Sequence, residues 1–92
     1  MRISELQRKV LLVLSALEAR GHAAPLPVMQ LLSLLNAAAS KDVYATNLRT
    51  SLHTLHRYGM VKKYRNPSLN LAFTLTDTGR RKAEAIRYEL LV

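Results

Sequence analysis

The side chains of this 92-residue chain best suited to recognising a ligand lie between positions 41 and 65. Thr46, Asn47, Thr50 and His53 share one helical face, Arg49 and Arg57 flank them, and Lys62, Lys63 and Arg65 follow close behind. Threonine, asparagine and histidine can bond base edges, asparagine being the natural partner of adenine, while arginine takes guanine or phosphate. A ring of lysine and arginine around such a face would hold a phosphate backbone without reading sequence. Charge is concentrated in the same place. Residues 41–65 hold Lys41, Arg49, Arg57, Lys62, Lys63 and Arg65 against Asp42 alone, a net of +5 within a chain total of +8. Residues 1–40 contribute +2 and residues 66–92 only +1. An ordinary solvated helix face carries Glu and Lys, yet no acid stands between Tyr44 and Tyr58. The set therefore predicts groove contact, with phosphate as the partner of Arg57 and either phosphate or a base for Arg49.

Other chemistries are poorly provided for. Without cysteine there is no disulfide, thiolate zinc site or cysteine nucleophile. His53 and His56 stand at i and i+3, a spacing that can share a metal, but no carboxylate or thiolate is placed to complete the set. No metal is expected, and His56 is expected to pack at the rim of the core. Asp42, Asp77 and Glu84 are isolated, and no glycine-rich phosphate loop or nucleophile with a placed base occurs, so neither an enzyme nor a cofactor is expected. The longest apolar run, Val10–Leu14, falls far short of the roughly 18 residues a spanning helix needs, and the first five residues lack a secretory signal. The expectation is a cytoplasmic, nucleoid-associated protein that does not engage membranes. A pI near 10.5 fits a polyanionic partner.

The elements that must position these residues follow from periodicity. A hydrophobic share of 49% and this length predict one domain, residues 1–92, around one modest core. A first helix is predicted from about Glu5 to Arg20, because Ser4 and Gln7 have capping-box spacing and Gly21 stands where a C-terminal cap belongs. Its core face is Leu6, Val10, Val13, Leu14 and Leu17, with Leu12 opposite. Pro27 suits the first turn of a second helix, Val28 to about Ala37, buried through Val28, Leu31, Leu32 and Leu35. A third helix spans about 41–58, stops at Gly59, and buries Tyr44, Leu48, Leu52 and Leu55. The period then shortens to 2. Leu69, Leu71, Phe73 and Leu75 alternate with polar or small residues, Met60–Arg65 is the antiparallel partner, and Asn66-Pro67-Ser68 turns between them. A last helix begins near Asp77 with Thr76 as its cap and buries Ala83, Ile86 and Leu90. The fold class is α+β, mostly α.

Two strings carry a family resemblance: Leu52-x-x-Leu55-x-x-x-Gly59-x-Val61-x-Lys63, and Phe73-x-Leu75-Thr76-x-x-Gly79-Arg80. Together they resemble the signature of winged helix-turn-helix transcription regulators of the MarR and PadR kinds. The resemblance implies three helices, a short β-hairpin wing at 60–75 and a C-terminal helix. It implies a dimeric regulator, expected to be a repressor, that sets its third helix in the major groove of double-stranded DNA. The DNA-contacting set is then Lys41, Thr46, Asn47, Arg49, Thr50, His53, Arg57, Lys62, Lys63, Arg65 and Asn66. Full-length MarR-type regulators carry extra terminal helices that build the dimer and a ligand cleft. Little beyond the common core is present here, so a small-molecule effector is not expected.

Other readings accompany this one. Lys62, Lys63 and Arg65 could instead protect an edge strand from pairing, and Arg80-Arg81-Lys82 could meet phosphate or only water. Leu12, Ala16, Leu90, Leu91 and Val92 are the expected homodimer surface, set against the possibility of scattered surface leucines. A winged helix can also serve as a protein-interaction module, or as an architectural or replication-associated DNA binder.

Overall fold

The computed structural model of the chain describes residues 2–38, 41–65, 67–68 and 70–91. Along these residues run α1 (Glu5–Ala19), β1 (Leu26–Pro27), α2 (Val28–Ala38), α3 (Ala45–Arg57), β2 (Val61–Arg65), β3 (Leu71–Leu75) and α4 (Asp77–Leu91). The architecture is the expected one, three helices, a β-hairpin and a last helix.

Helix boundaries follow local chemistry. The capping box of α1 is complete: the Gln7 amide donates to Ser4 Oγ at 3.1 Å and the Ser4 amide donates to Gln7 Oε1 at 2.9 Å. At its other end Gly21 takes φ +93°, the His22 amide reaches Leu17 O at 2.9 Å and the Gly21 amide reaches Glu18 O at 3.0 Å, a Schellman closure. The same closure ends α3. Gly59 has φ +74°, the Met60 amide donates to Leu55 O at 2.9 Å and the Gly59 amide to His56 O at 3.0 Å. Met60 and Leu55 are both buried, which supplies the hydrophobic contact that accompanies this motif.

That closure is joined to the start of α4. Thr76 Oγ1 donates to Gly59 O at 2.5 Å and accepts from the Gly79 amide at 3.0 Å, so one side chain caps α4 and ties down the end of α3. The Thr76 amide donates to Met60 O at 3.1 Å. A Cβ on Gly79 would fall on that same Met60 carbonyl oxygen. The Leu-Thr-x-x-Gly string thus has a mechanical meaning, a cap, a clasp and room for a carbonyl. The other end of α3 is set by Asn36, whose side chain accepts from the Val43 amide at 2.6 Å and donates to Val43 O at 3.2 Å, locking α2 to the segment before α3.

The sheet order is β1-β3-β2 and both pairings are antiparallel. Leu26 and Pro27 pair with Phe73 and Ala72. Pro27 therefore belongs to a two-residue edge strand ahead of α2, where a missing N–H is tolerated, and not to the first turn of the helix. Phe73 and Leu75 of β3 and Val61 of β2 enter the core beside Val10, Leu11 and Leu14 of α1, Val28, Leu31 and Leu35 of α2, and Ala83 and Ile86 of α4.

Several expectations about burial change. Leu12 does not face outward: Arg8 and Ser15, one turn before and after it on the same face, bond Glu89 and Arg87 of α4, and Leu12 packs against the core beneath that helix. Leu11, fully buried, joins the core face as well. Tyr44 is 68% exposed, because α3 starts at Ala45 and the extended N-cap residue falls outside the helical stripe. Leu90 is 70% exposed, one helical turn beyond Ile86, the last buried residue of α4.

Candidate nucleic-acid interface

Helix α3 divides cleanly. Leu48, Leu52 and Leu55 are fully buried and Ser51 lies buried beside them. The opposite ridge is Thr46, Thr50, His53 and Arg57, spaced 4, 3 and 4, and all four side chains are exposed. Asn47 and Thr54 border this ridge on one side, and Arg49 and His56 on the other. His56 is exposed and does not pack at the core rim. The apolar stripe fixes the helix against the core, so the polar ridge must point away from it.

Two threonine hydroxyls are already engaged. Thr50 Oγ1 donates to Thr46 O at 3.0 Å and Thr54 Oγ1 donates to Thr50 O at 3.1 Å, each one turn back along the helix. At the front of α3, Asn47 lines a polar hollow of about 410 Å³ with Glu5, Leu6, Lys9, Lys41, Asp42 and Val43. Lys41 thus stands ahead of the helix and not on it. Lys9 of α1, not among the sequence candidates, reaches the same place while pairing with Glu5 at 3.6 Å. No spacing along the chain marks it, since its neighbours come from a segment more than thirty residues away.

The wing places its cations by register. Lys63 pairs with Phe73 and Arg65 with Leu71, while Lys62 pairs with Thr74 and Tyr64 with Ala72. Directly opposed residues share a sheet face. Lys63 and Arg65 therefore project from the face that carries Phe73 inward, beyond the end of the core, and Lys62 lies on the other face with Tyr64. Asn66 falls outside the described residues.

Partnering distinguishes several cations of α1 and α4 from those of residues 41–65. Among the described residues every ion pair lies on α1 or α4: Arg8 with Glu89 at 2.7 Å, Lys9 with Glu5, and Arg80 with Glu18 at 2.8 Å and Asp77 at 2.6 Å. Arg87 donates to Ser15 Oγ at 2.9 Å. Arg80 thus has a structural task, joining α4 to α1. Its hydrogen bond to Glu18 raises the guanidinium above its ordinary pKa, outweighing a smaller lowering by desolvation. By contrast Lys41, Arg49, Arg57, Lys62, Lys63 and Arg65 are all exposed, and among the described residues none meets an acid in an ion pair.

Of the dimer candidates, Ala16 and Leu90 are exposed and Leu91 is 81% exposed, with Tyr88 beside them. Leu12 is half-buried against the core, and Val92 lies outside the described residues. No group of three His, Cys, Asp or Glu able to hold a metal occurs among the described residues, and none of their helices is long and apolar enough to cross a membrane.

No family model matches the chain, and no curated protein does. Solved structures do. MepR, a transcription regulator of the multidrug efflux pump MepA of Staphylococcus aureus, superposes with a TM-score of 0.73 at 19% identity, over 94% of this chain and 56% of its own. The adhesin competence repressor AdcR of Streptococcus pyogenes gives 0.72 at 16% identity, over 96% of this chain and 56% of its own. AF1382 from Archaeoglobus fulgidus gives 0.77 at 15% identity, over 96% of this chain and 87% of its own. The chain spans little more than half the length of MepR and AdcR. The fold is the winged helix-turn-helix shared with these structures, with α3 as its third helix and the β2–β3 hairpin as its wing.

Proposed function

We propose that this protein is a sequence-specific regulator of transcription that binds double-stranded DNA, with α3 in the major groove and the hairpin against the backbone. The observation that carries the reading is the contrast on one surface: the uncharged, hydrogen-bonding Thr46, Thr50 and His53 accompanied by six cations that have no acidic partner among the described residues. Thr46, Thr50 and His53 meet base edges, with Asn47 and Arg49 at the borders of the ridge. Arg57, Lys63 and Arg65 take phosphates, Lys62 follows from the outer face of the wing, and Lys41 reaches the backbone ahead of the helix. Lys9 joins Lys41 there. The regulator acts as a repressor and as a homodimer, joined through the exposed end of α4, where Tyr88, Leu90 and Leu91 present apolar surface without a partner.

Selection of bound fragments from random duplex DNA tests this. The expected outcome is a motif of two half-sites about 10 base pairs apart, centre to centre. Equal binding of random and selected duplexes would overturn the sequence-specific reading.

A second reading, a protein-interaction module, draws on α2. This helix carries no charged residue, and its outer side exposes Met29 and Leu34 around an open hollow of about 600 Å³ lined also by Leu17 and Leu26. Recovery of one protein partner after nuclease treatment, with no duplex binding at low salt, would favour it.

A further inference from the structure

The state of the Thr50 hydroxyl restricts what that residue can read. Thr50 occupies the middle of the exposed ridge of α3, with Thr46 one turn before it and His53 and Arg57 after it. Its single O–H donor is committed to Thr46 O at 3.0 Å, and its own carbonyl accepts from Thr54 Oγ1 at 3.1 Å. A threonine hydroxyl has one proton to give. To donate to guanine O6 or N7, or to thymine O4, Thr50 would have to release the bond it holds. With Oγ1 drawn back along the helix, the γ-methyl takes one of the two staggered positions left on Cβ of this exposed residue. An apolar group at the crest of a helix in the major groove finds one apolar counterpart among the base edges, the C5-methyl of thymine.

Resting on the DNA-binding reading above, we propose that Thr50 is a specificity-determining residue that selects thymine through methyl–methyl contact, its hydroxyl serving the helix and not the base. The neighbouring side chains supply what a methyl cannot. His53 and Arg57 carry donors along the same ridge, so a thymine under Thr50 adjoins positions read by hydrogen bonds. The ligand class is then a duplex whose half-site holds a thymine at the position facing the centre of α3.

The test pairs a methyl deletion on the protein with one on the DNA. Affinities of the wild-type protein, Thr50→Ser and Thr50→Val are measured on the duplex best enriched by selection, with each thymine replaced singly by uracil. Uracil lacks only the C5-methyl. In the wild-type protein one thymine per half-site should lose about fourfold in affinity, the equivalent of one buried methyl-sized group. Thr50→Val, which keeps a γ-methyl without the hydroxyl, should retain that sensitivity. Thr50→Ser, which keeps the hydroxyl without the methyl, should bind the thymine and uracil duplexes alike. Thr50 is exposed, and equal thermal melts of the three proteins verify that each is folded.

The inference is overturned if no thymine position is sensitive, if Thr50→Ser keeps the wild-type response, or if Thr50→Val loses it. The last result would make the hydroxyl the reader. A wild-type protein with no preference among duplexes would overturn the functional reading itself, and this inference with it.

Discussion

The pair α1 and α4 and the pair α3 and β2 are both rich in cations, but they use them differently. On α1 and α4 most of the cations are answered, although Arg81 and Lys82 of α4 make no ion pair among the described residues. Arg8 and Arg80 meet carboxylates and Arg87 meets a hydroxyl across the two helices, so these side chains hold together helices that are distant in sequence, while Lys9 pairs with Glu5 one turn away on α1. On α3 and β2, Arg49, Arg57, Lys62, Lys63 and Arg65 are exposed with no acid near enough to pair among the described residues. Their mutual repulsion opposes folding slightly, and no ion pair among the described residues offsets it. Net charge alone does not separate a scaffold from a binding surface. The partnering of Arg8, Arg80 and Arg87 marks them as scaffold.

If that division is right, affinity and stability respond separately to mutation. The largest effect is expected from Arg57→Ala, Lys63→Ala and Arg65→Ala combined. Duplex affinity should fall on the order of a hundredfold or more, across all sequences alike, with a melting temperature no lower than that of the wild-type protein. Gel shifts and thermal melts of the same preparation check both halves. A melt that collapses along with affinity would mean that these cations also serve the fold.

Gly79→Ala comes next and acts on the scaffold alone. Helix propensity would favour alanine by about 1 kcal/mol. The added Cβ would nevertheless strike the Met60 carbonyl, which is backbone and cannot step aside. A net destabilisation of about 1–3 kcal/mol in urea unfolding is expected, with unchanged affinity for the folded fraction. A neutral or stabilising result would show that the clasp between α3 and α4 has slack.

The smallest effect is expected from Glu18→Gln, which removes the main partner of Arg80. Surface ion pairs contribute little, so the melting temperature should drop by no more than a few degrees. Duplex affinity should change by less than about twofold, since Arg80 lies outside the binding set. A marked gain or loss of binding would place Arg80 on the DNA after all.

Much of this was legible along the chain because it is local. Ser4 with Gln7, Gly21 and Gly59 mark helix ends through bonds spanning three to five residues. The Leu48, Leu52, Leu55 stripe and the alternation of Leu71, Phe73 and Leu75 need only the period of one element. The charge imbalance of 41–65 and the exposed ridge of α3 followed from counting. The misreadings have a common cause, a partner distant in sequence. Leu12 looks like an outward residue until α4 arrives from seventy residues away. Arg80 looks idle until Glu18 is beside it. The strand Leu26–Pro27 exists because Phe73 and Ala72 pair with it, and two residues that include a proline carry no alternation to detect. Tyr44 shows the converse limit, since the stripe was extended one turn past a boundary that no side-chain cap marks. The exposed ridge of α3 was legible because a surface whose residues make few contacts within the chain is set by the period of a single helix.

The most direct test of the account is the affinity of the wild-type protein for its selected duplex between 50 and 200 mM salt. The six cations of residues 41–65 meeting about six phosphates predict a fall of about three orders of magnitude across that range, linear on logarithmic axes. Binding that is absent at 50 mM, or present but indifferent to salt, would contradict it.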